Sequence, residues 1–159
     1  MQDNETKVSN TNNTIHVLLA DDDSDDRLFF EKVLKALPVP TQLVTIVDGE
    51  KLMTYLFNNS DNLPDVLFLD LNMPRKNGSE CLSEIKINEK LKQLPVIIYS
   101  TSLHEDVADL LYNKGAQYYV RKTDLDDLRK SLYKVLTMMT EKKFARPARD
   151  QFILSLASS

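Results

Sequence analysis

The chain has 159 residues, of which 42% are hydrophobic, and its formal net charge is −4 at pH 7. This length suits one ordinary domain with a substantial core, and an acidic chain without a long Lys/Arg block does not suggest a surface for nucleic acid or an anionic membrane. The single cysteine, Cys81, cannot form an internal disulfide, and no apolar run approaches the roughly 18 residues needed to span a bilayer, so we expect a cytoplasmic protein.

The two ends of the chain differ in composition from the part between them. Residues 1–14 are rich in Asn, Thr, Asp and Ser and lack the basic start and apolar stretch of a signal peptide, so we predict a disordered polar leader. Residues 15–141 hold the periodic segments and are predicted to form one domain. Residues 142–159 carry a basic patch and then an apolar segment, and this tail could pack back on the domain, mediate dimers or stay loose.

Five short apolar or β-branched segments alternate with helical patterns along the chain. The predicted strands are residues 15–20, 42–47, 65–70, 96–99 and 117–120. Each is followed by apolar residues at three- and four-residue spacing, as in Phe30, Val33 and Leu34. Five strand–helix pairs in strict alternation predict an α/β fold, a doubly wound parallel sheet with helices on both faces. Ligands of such sheets bind beyond the carboxyl ends of the strands.

Local signals also predict where helices begin and end. Ser24 is expected to cap the first helix and Thr123 the last, while Gly115 should end the fourth in a left-handed conformation. Within the fourth helix, the expected apolar residues are Val107, Leu110 and Leu111.

Four of the five predicted strands end in a polar cluster. The clusters are Asp21–Asp22, Asp70, Ser100–Thr101 and Lys122. Parallel strands place them on one rim, where three crowded carboxylates repel one another and have raised pKa values unless a cation neutralises them. Ligand sets made only of oxygen select a hard ion such as Mg²⁺. Phosphoryl transfer needs such a metal, an in-line oxygen nucleophile and groups that contact the equatorial oxygens of the phosphoryl group. Asp70 would supply the nucleophile, Lys122 an ammonium and Ser100 a hydroxyl.

The other acids near the first strand have a simpler interpretation. An acidic run is more often a solvated helix start than a metal site, because acids favour the positive end of the helix dipole. Asp23, Asp25 and Asp26 are therefore assigned no role in the site.

These motifs, in this order and spacing over about residues 15–140, resemble the receiver domain of bacterial two-component response regulators, of the stand-alone type and similar to small regulators paired with phytochrome-type kinases. The resemblance implies a flavodoxin-like sheet with strand order 2-1-3-4-5. It also implies that Asp70 is the phosphorylated aspartate and that Mg²⁺ is held by Asp21, Asp22, Asp70 and the backbone carbonyl of Asn72.

The resemblance assigns further roles near the site. Ser100 matches the switch hydroxyl, Tyr119 the switch aromatic and Lys122 the family's lysine. Thr123 stands where the family usually has a proline, often after a cis bond. Because a cis bond before another residue costs about 2.5–4 kcal/mol, we expect a trans bond there.

The implied function is a phosphorelay switch. A sensor histidine kinase or a phosphotransfer protein would phosphorylate Asp70 to 4-aspartylphosphate, and the changed surface would bind an output protein, with a homodimer as a further option. Such a protein catalyses only its own phosphorylation and dephosphorylation and needs neither nucleic acid nor membrane. Two alternatives stay open: a phosphorylation-independent interaction module, and a Mg²⁺-dependent aspartyl-phosphate phosphohydrolase in which Asp21 and Asp23 form an Asp-x-Asp motif.

Overall fold

The computed structural model describes residues 13–154, so most of the predicted leader and residues 155–159 lie outside the described residues. Strands and helices alternate as β1 (Ile15–Ala20), α1 (Ser24–Ala36), β2 (Thr41–Ile46), α2 (Gly49–Asn58), β3 (Val66–Leu69), α3 (Gly78–Ile87), β4 (Val96–Ser100), α4 (Glu105–Lys114), β5 (Tyr118–Arg121) and α5 (Leu125–Thr140). A short 3₁₀-helix, Arg149–Gln151, follows. Within residues 13–154, no helix is both long enough and apolar enough to cross a membrane.

The strands form one sheet in the order β2-β1-β3-β4-β5, and every pairing is parallel. Both the predicted fold class and the strand order are therefore confirmed. Every residue of β3 and β4 is buried, as expected for central strands covered on both faces.

The core lies in two layers, one on each face of the sheet. Leu18 and Leu67 point into the layer under α2, α3 and α4, whereas their neighbours Leu19 and Phe68 point into the layer under α1 and α5. Successive side chains of a strand alternate between faces, so the same apolar runs fill both layers. The central strands are thus buried on both sides, whereas most of the edge strand β2 is exposed or half-buried. The rim at the carboxyl ends of the strands is left for polar residues.

Two of the predicted helix caps are wrong by one residue. Asp23, and not Ser24, caps α1, and Asp124, and not Thr123, caps α5. The Asp23 carboxylate accepts hydrogen bonds from the N–H groups of Asp25 and Asp26, and the Asp124 carboxylate accepts one from Asp127. The helix macrodipole strengthens such bonds to an anion. Gly115 ends α4 with a φ of 110°, as predicted.

The apolar stripe of α4 is also displaced from the prediction. Val107 and Leu110 are exposed, and Ala108 and Leu111 are the buried residues of this helix. Ala108 and Leu111 are three residues apart and so lie on one side of α4, the side that belongs to the core, which leaves Val107 and Leu110 toward the surface.

The described part of the tail packs back on the domain. The Tyr119 N–H donates to the Phe152 carbonyl at 3.0 Å and the Leu154 N–H donates to the Tyr119 carbonyl at 2.9 Å, so Ile153 forms a parallel bridge at the free edge of β5. The Phe152 ring is fully buried and lies edge-on to Tyr112 and Tyr119. Of the three options for the tail, packing back is the one that residues 142–154 adopt.

Polar contacts also join residues 146–149 of the tail to α4. Arg149 pairs with Asp109 at 2.7 Å and with Glu105 at 2.9 Å. The Arg146 guanidinium lies 3.9 Å from the centre of the Tyr112 ring, and the Tyr112 hydroxyl donates to the Pro147 carbonyl at 2.8 Å. The tail therefore covers the face formed by α4 and β5.

Candidate functional site

Two neighbouring strands deliver the buried acids of the site to the same rim. Asp21 follows β1 directly and Asp70 follows β3 directly, and the last residues of these strands, Ala20 and Leu69, are paired in register. The Asp70 N–H donates to the Ala20 carbonyl at 2.9 Å. Asp70 is therefore held beside Asp21 by the backbone ladder itself.

Asp21, Asp22 and Asp70 form a cluster of carboxylates, with one oxygen from each lying within 4.8 Å of the others. Asp21 and Asp70 are buried, whereas Asp22 is exposed. Three anionic oxygens this close fit a hard divalent cation, which would relieve their repulsion. The cluster is thus a suitable site for a divalent metal.

The surroundings of the Asp70 carboxylate raise its pKa. Burial raises its pKa from 3.8 to about 7, with the charges of Asp21 and Asp22 adding to the effect. Lys122 opposes the shift, as does a hydrogen bond that the Asn72 N–H donates to Asp70 at 3.3 Å. An unneutralised charge on Asp70 is therefore costly, and a cation at the cluster would remove much of that cost.

Lys122 reaches this cluster from the end of β5. Its ammonium lies 2.7 Å from an Asp21 oxygen, 2.9 Å from Asp26 and 3.8 Å from Asp70. It also sits 4.9 Å from the centre of the Tyr99 ring. Burial alone would lower the pKa of Lys122, but the hydrogen bonds to Asp21 and Asp26 outweigh it and raise the pKa above its usual value. The lysine is therefore cationic throughout the physiological range.

Ser100 and Tyr119 lie on neighbouring strands at the same end of the sheet. The Ser100 hydroxyl is fully buried and makes no hydrogen bond within residues 13–154. The Tyr119 hydroxyl donates to the Ser102 carbonyl in the loop that follows β4. Burial raises the pKa of Tyr119, so this phenol is a neutral donor. The Ser100 hydroxyl is thus without a well-formed hydrogen bond among residues 13–154, but it lies close enough to the Tyr119 hydroxyl to oppose the rise in the pKa of that phenol.

Asp26 was missed by sequence reasoning, which assigned it no role. It lies in the first turn of α1, and its carboxylate forms an ion pair with Lys122, 96 residues further along the chain. A signal did exist: a helix that follows a strand of this sheet begins at the same rim, so an acid in its first turn lies near the strand end. The N-cap Asp23 and Asp25 of the first turn are not partners of Lys122 within the described structure.

The loop after Asp70 is held close to it by a glycine. A Cβ on Gly78 would lie 2.3 Å from the Asp70 carbonyl oxygen, so only glycine fits there without displacing the backbone. The Gly78 N–H donates to the Leu71 carbonyl at 2.9 Å. The described residues contain no cis peptide bond, so the bond before Thr123 is trans, as predicted.

Cys81 is a core residue of α3 and takes no part in the site. Its side chain is fully buried, and burial raises the pKa of its thiol to about 12. The thiolate that a nucleophile needs is therefore absent at neutral pH.

A family model and a curated relative both point to the same protein family. The family model described as the response regulator receiver domain matches residues 17–133. Response regulator Rcp1 from Synechocystis sp. is 36% identical over 118 residues, which is 70% of this chain and 80% of Rcp1.

Solved structures agree with the sequence comparison. The Mn²⁺-bound form of response regulator Rcp1 superposes with a TM-score of 0.72 at 32% identity, covering 84% of this chain and 99% of that one. The phosphorylated cyanobacterial phytochrome response regulator RcpA superposes with a TM-score of 0.71 at 31% identity, covering 85% and 99%. Because both the matched sequence and the carboxylate rim point the same way, the chain belongs to the response regulator receiver domain family of two-component signalling.

Proposed function

We propose that Asp70 accepts a phosphoryl group from a phosphohistidine on a sensor histidine kinase or a phosphotransfer protein. The observation that carries this proposal is the position of Asp70, which shares the rim with Asp21 and Asp22 and lies 3.8 Å from the Lys122 ammonium. A nucleophile, a set of metal ligands and a cation for the phosphoryl oxygens thus converge on one point.

The metal of this site is proposed to be Mg²⁺. Asp21, Asp22 and Asp70 would hold it through their carboxylates, and the backbone carbonyl of Asn72 would complete the protein ligands. When bound, the ion supplies positive charge that neutralises the carboxylates and the phosphoryl oxygens. The Mn²⁺ in the Rcp1 structure supports a divalent cation in a related receiver.

In the proposed transfer, an oxygen of Asp70 forms a bond to phosphorus while the bond from phosphorus to the histidine nitrogen breaks. The electron pair stays on the imidazole, which takes up a proton and leaves neutral. Lys122 neutralises charge on the phosphoryl oxygens from one side and Ser100 offers its hydroxyl from another. Hydrolysis later transfers the group to water and regenerates Asp70, so the protein catalyses only its own modification.

The switch is proposed to run from Ser100 to Tyr119. Attraction of the Ser100 hydroxyl toward the phosphoryl group would leave room for Tyr119 to turn inward, biasing a two-state equilibrium at the face formed by α4, β4, β5 and α5. The ring of Tyr119 lies against Phe152, and its backbone pairs with the tail. An output protein and the tail therefore share this face.

We also propose a division of the chain into a leader, a domain and a tail. Residues 15–141 are the receiver domain, residues 1–14 a disordered polar leader and residues 142–159 a C-terminal tail, of which residues 142–154 pack on the face formed by α4 and β5. The protein works in the cytoplasm together with its kinase and its output protein, and a homodimer is a further option. The phosphohydrolase alternative is disfavoured because Asp23, the second acid of its motif, is occupied in capping α1.

The test is phosphorylation by acetyl phosphate with and without Mg²⁺, followed by intact mass spectrometry. We expect one added phosphoryl group that depends on Mg²⁺ and is lost in Asp70→Asn. The exposed Asp61 provides a matched control, because Asp61→Asn makes the same chemical change away from the rim and should leave labelling intact. If wild type stays unlabelled while a known receiver is labelled, the phosphoacceptor proposal is wrong and the interaction module becomes the better explanation.

A further inference from the structure

The Lys122 ammonium has two close acceptors besides the proposed phosphoacceptor. Asp21 lies at 2.7 Å and Asp26 at 2.9 Å, whereas Asp70 lies at 3.8 Å. An ammonium carries three N–H donors, so two are used by the close carboxylates and one remains for the side of Asp70. The two close acceptors therefore set where the ammonium sits relative to Asp70.

These two acceptors differ in their relation to the metal site. Asp21 belongs to the cluster with Asp22 and Asp70, whereas Asp26 lies outside that cluster. A divalent cation engaged by Asp21 competes with Lys122 for the same carboxylate and repels the ammonium. Among the described residues, Asp26 is then the one carboxylate within 3 Å of the Lys122 ammonium that does not also bind the cation.

The position of Asp26 is itself fixed by the local structure. Its N–H donates at 3.0 Å to the Asp23 carboxylate that caps α1. Its side chain is 38% exposed, whereas the side chain of Lys122 is only 9% exposed. Lys122 thus has little water with which to replace a lost partner, and its attachment depends on the carboxylates.

We propose that Asp26 is a positioning residue, which holds the Lys122 ammonium beside Asp70 while a divalent cation engages Asp21. This inference rests on the proposed function of Asp70. Without Asp26, the ammonium would be displaced by the cation from its other close partner, and fewer molecules would present it to the incoming phosphoryl group. Charge-assisted hydrogen bonds of this kind are short and directional, which suits a positioning role.

The neighbouring Asp25 offers a matched control. It lies on the same first turn and its N–H donates to the same Asp23 carboxylate at 2.8 Å, but its side chain is exposed and is not a partner of Lys122 within residues 13–154. Asp25→Asn and Asp26→Asn each remove one negative charge from the start of α1. The effects of that charge on the helix dipole and on the general potential are therefore similar in the two variants.

The first measurement is the side-chain ¹⁵N signal of Lys122 in protein labelled at lysine, assigned with Lys122→Arg, in saturating Mg²⁺ without a phosphodonor. We expect wild type and Asp25→Asn to retain a slowly exchanging ammonium signal and Asp26→Asn to lose it to fast exchange with water. The second is the initial rate of phosphorylation by acetyl phosphate, which should fall about tenfold in Asp26→Asn relative to Asp25→Asn. Asp26→Glu, which keeps the negative charge, should recover part of the ammonium signal and part of the phosphorylation rate.

Equal signals and equal rates in Asp26→Asn and Asp25→Asn would overturn the positioning role. If Asp26→Asn does not fold, Asp26→Ser, which suits a first helical turn, is held to the same two criteria. Failure of wild type itself to be phosphorylated would refute the proposed function instead, and the ammonium signal would still report whether Asp26 holds Lys122.

Discussion

Replacing Asp70 by asparagine is expected to stabilise the metal-free protein at alkaline pH, although it removes the proposed phosphoacceptor. Asparagine keeps the shape of the side chain and removes a charge that is buried beside Asp21. Lys122 keeps its two closer partners, Asp21 and Asp26, so the substitution leaves no buried ammonium without a counter-ion. Function and stability should therefore change in opposite directions at this residue.

The pKa of Asp70 sets the size and the pH range of the effect. Burial raises it from 3.8 to about 7, so between these pH values the native state binds more protons than the unfolded state and the free energy of unfolding falls as pH rises. At about 1.4 kcal/mol for each pH unit, the cost of the charge reaches at most about 4 kcal/mol at pH 8. It falls below about 1 kcal/mol at pH 4 and vanishes below about pH 3, where Asp70 is protonated in both states.

The assay is urea unfolding of wild type and Asp70→Asn in EDTA at pH 8, 6 and 4, with Asp61→Asn as a surface control. The advantage of Asp70→Asn should be large at pH 8, smaller at pH 6 and close to zero at pH 4. Saturating Mg²⁺ at pH 8 should stabilise wild type more than the variant, because the ion neutralises the same charge. An advantage that does not change with pH, or a loss of stability at pH 8, would refute the reasoning.

Three further substitutions test other parts of the structure. Phe152→Ala should lower the free energy of unfolding in urea by about 3–5 kcal/mol, because its ring is fully buried; a loss below about 1 kcal/mol would mean that the tail is not docked in solution. Gly78→Ala should lower both the melting temperature and acetyl phosphate labelling, since its Cβ would lie 2.3 Å from the Asp70 carbonyl oxygen; unchanged labelling would contradict this. Ser100→Ala should leave the stability of the unphosphorylated protein unchanged or raise it by about 1 kcal/mol in the same urea assay, because its hydroxyl is buried without a partner. A clear destabilisation would show that the hydroxyl is hydrogen-bonded.

Local pattern was enough to predict the sheet and the main residues of its rim. Apolar runs such as Val66–Leu69 end at a polar residue, and alternation of strands with helices requires the strands to be parallel. Once the strands are parallel, Asp21 and Asp70 lie on the same rim of the sheet. That β1 and β3 are neighbours was implied by the resemblance to receiver domains, which supplied the strand order.

Tertiary structure alone decided the contacts that join distant segments. Asp26 has the sequence pattern of an ordinary helix start, and its pairing with Lys122 depends on how α1 packs against the end of β5. The same is true of Phe152, whose burial requires both an open edge on β5 and a gap beside Tyr112. The periodicity of a segment indicates which side of a helix or strand is apolar. It does not indicate which distant residue that side will contact, because such contacts depend on how all the helices and strands pack together.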